Sequence, residues 1–181
     1  RARGPVIVLA AQPQHTWGIA EALKPANGLR QVSPEAEIVK TFLAHEMGKD
    51  FPLCSLLDYG VAVHHSGLSD DSRALVEWLT ENGKISVLVA TTTIAQGVNF
   101  PVSGIVMASH QYPYGQDMPP EDFWNVAGRA GRVDQEDLGL IALVATDDAK
   151  ARDLEEFVSR STGALNSTLV AMVQLAVEQG A

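Results

Sequence analysis

The chain has 181 residues, 46% of them hydrophobic and 19% charged, which suits a soluble globular protein with one sizeable core and a tail. Thirteen basic residues against twenty-two acidic ones leave a net charge of −9, which argues against broad, nonspecific phosphate binding, so any nucleic-acid contact must be local; the acidic charge also serves plain solubility. The single cysteine, Cys54, excludes an internal disulfide and a cysteine-rich zinc site and fits a reducing compartment, the cytoplasm by default.

Taken in chain order, Arg1 and Arg3 precede the apolar run Pro5 to Ala11, which leads straight into Gln12, Pro13, Gln14 and His15 with no cleavage region, so it reads as a core strand over Val6 to Leu9. A helix should follow it. Ser33 and Pro34 suit an N-cap and first helical position, and Ile38, Val39, Phe42 and Leu43 then share a face. Cys54 lies within Leu53 to Leu57, where it reads as a buried, inert thiol rather than a nucleophile. Val61 to Val63 is a second strand, and Ser69 caps a helix with Asp70 and Asp71 in its first turn, an apolar side of Leu75, Val76 and Leu79, and an end near Gly83. Further strands are predicted at Ile85 to Val89, Ile105 to Met107 and Leu140 to Val144.

Alternation of buried strands and helices argues for an α/β fold, an open parallel sheet covered by helices on both faces. The connection from Ser109 to Pro120 carries three prolines, two tyrosines and a glycine and reads as a long irregular surface loop. From Asp147 onward the pattern is wholly helical, through Leu154, Phe157 and Val158 and again through Leu165, Leu169, Met172, Val173 and Val177. We therefore expect one domain over residues 1–146 and a helical extension over 147–181 leading to further domains. The longest apolar stretches, Val102 to Ala108 and Leu138 to Ala145, are too short to cross a bilayer, so no membrane partner is expected.

In open α/β sheets ligands bind at the carboxyl ends of strands, which directs attention to the residues after Ile85 to Val89. They are Ala90, Thr91, Thr92 and Thr93, followed by Ile94, Ala95, Gln96, Gly97, Val98 and Asn99. The hydroxyls could bond phosphate oxygens, with Gly97 permitting close approach; threonines after a strand also serve as ordinary caps. Pro119 and Pro120 with Glu121 and Asp122 make a helix start. Helical spacing from there gives an apolar side of Phe123, Val126, Ala127 and Ala130, a polar stripe of Asn125, Arg129 and Arg132, and a third line of Trp124, Gly128 and Gly131. Two glycines inside a helix cost about 1 kcal/mol each relative to alanine, so a close approach of backbone or ligand should compensate. Two arginines beside them suit an anionic ligand, since guanidinium groups are planar, permanently charged and bidentate; solvated arginines at the end of a surface helix are the alternative.

The segment Ala90-Thr-Thr-Thr-Ile-Ala-Gln-Gly-Val-Asn-Phe-Pro101 resembles motif V of superfamily 2 helicases, and Asn125-Val-Ala-Gly-Arg-Ala-Gly-Arg132 resembles their motif VI, in the same order and at a matching separation. Val61-Ala-Val-His-His-Ser-Gly-Leu68 is similar to the segment before motif V in the Ski-type branch, which contains both RNA and DNA helicases. The resemblance spans roughly Pro5 to Thr146 and is to the second RecA-like domain.

It implies that Arg129 and Arg132 reach across a cleft to ATP and Mg2+ held mainly by a first RecA-like domain. Asn125 and Gly128 would lie beside them, and Gly97 and Asn99 would couple the cleft to a strand of RNA or DNA, single-stranded or duplex. Thr91, Thr92 and Thr93 would touch the backbone of that strand, with His65 and Gly67 near the same surface. His64 and His65 also have a structural reading, because adjacent strand residues point to opposite faces and do not easily form one site. One departure concerns Asn125, which stands where the family has glutamine and has one methylene less of reach.

A nucleotide-hydrolysing site needs a glycine-rich phosphate loop with its lysine and an acidic magnesium ligand, and no G-x-x-x-x-G-K-[ST] occurs in the chain. Gly48-Lys49 and Gly83-Lys84 lack the preceding glycine and the hydroxyl, and Asp147 and Asp148 read as a helix start rather than metal ligands. Nucleophile-elbow, dinucleotide-turn and zinc-helix motifs are also lacking. The expectation is therefore a contributing motor lobe, inactive in ATP hydrolysis alone, of a helicase or of a translocase of the same superfamily. A non-catalytic RecA-like scaffold or protein-interaction module is the rival reading. Backbone-contacting motifs leave RNA and DNA indistinguishable.

Overall fold

The computed structural model describes residues 4–91, 94, 102–107, 110–112, 116–128, 130, 139–161 and 170. Five short strands, β1 (Val6–Leu9), β2 (Val61–His64), β3 (Val87–Ala90), β4 (Gly104–Met107) and β5 (Leu140–Leu143), form one sheet in the order β2-β3-β1-β4-β5 with every pairing parallel. Apart from His64 at the end of β2, each is an apolar run without alternating polar positions, the pattern of strands covered on both sides; the edge strand β5 is the least covered. The expected α/β class, an open parallel sheet of the RecA-like kind, is what the chain adopts. β1 and β4 are neighbours from which the chain departs in opposite directions, toward β2 and toward β5, the arrangement that opens a ligand crevice at carboxyl ends in such sheets.

Helices α1 (Pro13–Asn27), α2 (Pro34–Met47) and α3 (Pro52–Leu57) connect β1 to β2, and α4 (Asp70–Glu81) connects β2 to β3. The predicted caps are realised: the Ser33 hydroxyl accepts from Ala36 N–H, the Ser69 hydroxyl from Ser72 N–H, and Gly83 leaves α4 with φ 67°, where a side chain would be strained. The α2 face differs from expectation. Val39 and Leu43 are buried with Ala36, but Ile38 is 70% and Phe42 38% exposed. Contacts of α2 with α3 and α4 select a stripe at Ala36, Val39 and Leu43, and Ile38 and Phe42 lie about 100° around the helix from Val39 and Leu43.

The segment after β4 also departs from an irregular surface loop. Gln111 and Asp117 pair in an antiparallel bridge, Tyr112 N–H donates to Gln116 O at 2.8 Å and Met118 N–H to His110 O at 2.8 Å, which makes a small hairpin. Its ends are buried: His110 is 1% exposed, and Met118 joins the main core. Proline and tyrosine content marks a turn but carries no information about tertiary anchoring.

α5 (Pro120–Ala127) follows the hairpin, and a helix over residues 148–161, here α6, follows β5. Asp147 Oδ1 accepts from Lys150 N–H at 2.8 Å, so this aspartate caps α6, and that bond holds its carboxyl below the usual range. The α6 residue Phe157 belongs to the same hydrophobic core as Ile7, Leu88, Ile105 and Phe123. Cys54 is half-buried with its thiol toward Lys40 O at 3.7 Å, and burial pushes its pKa up. Among the described residues no helix is long and apolar enough to cross a membrane. Residues 162–169 and 171–181, which include the second predicted helical stretch, lie outside the described residues.

Candidate functional site

Parallel register brings His64, Ala90, Leu9, Met107 and Leu143 level at the carboxyl edge of the sheet. Thr91 is the first residue beyond β3; its N–H donates to His64 O at 3.3 Å, and its own carbonyl accepts from Ile94 N–H at 3.1 Å as the chain turns away. Thr91 is 5% exposed, so it lines the edge from beneath rather than projecting from it. Thr92, Thr93, Gly97 and Asn99 lie outside the described residues.

The two histidines leave the end of β2 for different partners, as adjacent strand residues must. His64 Nε2 lies 2.6 Å from Glu77 Oε1 on α4. The His65 ring stands edge-on to Trp17, 5.7 Å between centroids, and its Nδ1 accepts from Gly67 N–H at 3.0 Å. That bond assigns the proton of neutral His65 to Nε2, a buried atom without a hydrogen-bond partner. A Cβ at Gly67 would meet the His65 ring at 3.0 Å, so the ring and the missing side chain at 67 fit each other. Trp17 carries no local signal of this role; its contact with His65 exists only because β1 and β2 share a sheet.

Burial, with the nearby His64 charge second, lowers the His65 pKa from its ordinary 6.5. The unfolded chain therefore takes up this proton at a higher pH than the folded one. Stability from a neutral His65 is complete above the unfolded pKa and declines as pH falls below about 6.5. Melting midpoints below that pH should fall in the wild type, and His65→Gln, which keeps an acceptor for Gly67 N–H, should show a shallower decline. An equally steep acid limb in the variant would remove His65 as its source.

The arginine segment begins as expected. Pro119 occupies the N-cap and Pro120 the first turn with Glu121 and Asp122, while Phe123, Val126 and Ala127 are buried. Helical spacing then stops short of the prediction. α5 ends at Ala127, exposed Gly128 caps it with its N–H donating to Trp124 O at 2.8 Å, and Ala130 pairs with Val102 in a parallel bridge. The expected helix carrying Asn125, Arg129 and Arg132 is therefore corrected in its extent: it does not run through Ala130, because a strand-like partner at Val102 takes that position. Gly128 lies at the end of the helix rather than inside it, and a Cβ there would meet Trp124 O at 3.1 Å, which is the close backbone approach expected at this glycine. Asn125 is exposed in the last turn of α5. Arg129 and Arg132 lie outside the described residues.

The Val102–Ala130 bridge joins the two motif-bearing segments, because Val102 directly follows Pro101 and Ala130 stands between the two arginines in sequence. It sits at the opposite end of the sheet from Thr91. Ser103, next to Val102, donates its N–H to Pro5 O at 2.9 Å at the start of β1. Thr91, His65 and Gly67 thus gather at the carboxyl edge, Gly128 and Ala130 at the amino end of β4, and residues 91–103 run from one to the other. Sequence spacing contained nothing to separate these two groups. Among the described residues no cluster of three or more histidine, cysteine or acidic side chains could hold a metal ion. Asn125 and Gly128 are exposed at the carboxyl end of α5, which presents carbonyl oxygens rather than N–H donors, so the described residues alone hold neither the phosphates nor the magnesium of a nucleotide.

Residues 34–134 match the family described as the helicase conserved C-terminal domain. Hachiman protein HamB of Bacillus cereus is 36% identical over 107 residues, 59% of this chain and 10% of that protein. Activating signal cointegrator 1 complex subunit 3 of Bos taurus is 37% identical over 107 residues, 56% of this chain and 5% of that protein. mRNA transport homolog 4 of Caenorhabditis elegans is 31% identical over 156 residues, 84% of this chain. The matched region spans 14% or less of the length of each of these three relatives.

Proposed function

Because the chain belongs to the helicase conserved C-terminal domain family, we propose that it is the C-terminal motor lobe of an ATP-dependent nucleic-acid helicase. The observation that carries this reading is the Val102–Ala130 bridge, which links the threonine segment to the arginine segment at one end of the sheet while Thr91 stays at the other. Bound ATP with Mg2+, held mainly by a first RecA-like domain of the same polypeptide, supplies the driving free energy. Arg129 and Arg132 place positive charge against the γ-phosphate as charge develops there, with Asn125 and Gly128 at the mouth of the cleft. Thr92, Thr93 and Gly67 face the strand of RNA or DNA, with the buried Thr91 and His65 supporting that surface from beneath, and Gly97 and Asn99 lie on the segment that connects the two ends.

Cleft closure then has a structural route. Of the segment 91–103, Thr91 bonds to His64 O and Ser103 to Pro5 O, and in this reading a shift at the arginine end is passed along the segment to the strand-facing end. In this reading the lobe does not turn over ATP alone, it works in the cytoplasm, and residues 147–181 lead from it to further domains. Asn125 in place of glutamine keeps the amide but not the reach, which is the one observation favouring a non-catalytic scaffold.

ATP turnover by the intact protein, measured with single-stranded RNA, with single-stranded DNA and with neither, separates these readings. Turnover should rise severalfold with at least one of the two strands. Equal rates under all three conditions would refute the motor, and no turnover at all would favour the scaffold.

A further inference from the structure

α5 is held on both flanks by side chains that the sheet does not require. On one side the Tyr112 hydroxyl of the hairpin donates to Asp122 Oδ2 at 2.6 Å; burial, with that carboxylate second, pushes the phenol up to about 12, so it remains a donor. On the other side Trp124 Nε1–H donates to the backbone carbonyl of Ser161 at 2.9 Å, and Phe123 meets Phe157 edge-on with centroids 5.2 Å apart. Ser161 is in the last described turn of α6, so this bond ties the indole of α5 to the backbone of the other helix.

The hairpin closes the triangle onto α6. The His110 ring lies 4.7 Å from that of Phe157, its Nε2 is 3.4 Å from Asp117 Oδ1 and 3.7 Å from Asp153 Oδ2, and Arg160 Nη2 is 3.0 Å from Asp117 Oδ2. Hairpin, α5 and α6 are thus each bonded to the other two. Arg129 stands five residues after Trp124, just past the end of α5.

We propose that Trp124 is a positioning residue for the arginine segment, and that its bond to Ser161 couples α6 to ATP turnover. This rests on the reading of Arg129 as an ATP-facing group. The bond sets the tilt of α5 against α6, and with it the position of Gly128, the residue that precedes Arg129 in the sequence. Coupling is reciprocal: whatever draws α6 aside, a following domain or a bound strand, displaces the end of α5 by the same linkage. A helix end bearing a catalytic arginine is sensitive to this, since a misplacement of 1 Å far from the chemistry costs up to about 10²-fold.

The test uses the intact protein and three variants. Trp124→Phe keeps the ring and removes the donor; Ser161→Ala keeps the accepting carbonyl; Arg129→Ala reports on the underlying reading. Trp124→Phe should lower kcat for strand-stimulated ATP turnover about fivefold, equivalent to about 1 kcal/mol, with KM for ATP within about twofold, whereas Ser161→Ala should match the wild type. Wild-type kcat in Trp124→Phe, or an equal loss in Ser161→Ala, would overturn the proposal. Near-normal turnover in Arg129→Ala would instead overturn the reading beneath it. A second measurement needs no variant. Hydrogen exchange of the wild-type protein with a non-hydrolysable ATP analogue should change in residues 120–127 and 148–161 together, and a change confined to 120–127 would equally sink the coupling.

Discussion

Arg129→Ala in the intact protein should lower nucleic-acid-stimulated ATP turnover roughly 10³-fold or more, the amount an arginine supplied to a phosphoryl-transfer site contributes. The loss should fall on kcat, with KM for ATP changed far less, because the guanidinium meets charge that develops only as the γ-phosphate departs. Arg129→Lys should recover little of it: a lysine restores the charge but not the planar, bidentate donor geometry. Steady-state turnover at saturating strand concentration checks this. A variant retaining more than about a tenth of wild-type kcat would remove Arg129 from the reaction, and the motor assignment would then depend on Arg132 alone.

Phe157→Ala is the second substitution with a large effect, and it acts on stability. Phe157 is 1% exposed, stands edge-on to Phe123 at 5.2 Å and tilts against His110 at 4.7 Å, so truncation leaves a cavity where α6, α5 and the hairpin converge. Loss of about 3–5 kcal/mol is expected, a large share of the 5–15 kcal/mol typical of a whole domain. Urea unfolding of the chain should show the midpoint moving down with little change of slope. A cost below about 1 kcal/mol would mean that α6 does not close this core. By contrast, Phe42→Ala on the exposed side of α2 should be near neutral, although composition makes the two phenylalanines equivalent.

Local chemistry was legible wherever a residue acts on its own neighbours. Ser33 and Ser69 cap the helices they precede, Asp147 begins α6 as a cap, and the strands lie within one or two residues of their predicted places. Pro120, Glu121 and Asp122 start α5 as read. The errors share a cause. Spacing took α5 on to Arg132, placed Ile38 and Phe42 on a buried face, and left residues 109–120 irregular; each was decided by a partner distant in sequence, Val102 for the first, α3 and α4 for the second, α6 for the third.

The candidate site divides in the same way. Motif order alone made Thr91 to Pro101 and Asn125 to Arg132 resemble one helicase lobe, and the expectation of a contributing half came from the phosphate-loop pattern missing in this sequence, because both are statements about which residues occur in what order. That Thr91, His65 and Gly67 share the carboxyl edge while Gly128 and Ala130 sit at the amino end of β4 was decided only by the sheet. Parallel pairing puts the end of one strand and the beginning of the next at opposite edges, and residues 91–103 must cross between them. Sequence determined what chemistry this protein carries; the register of five parallel strands decided where each part of it stands.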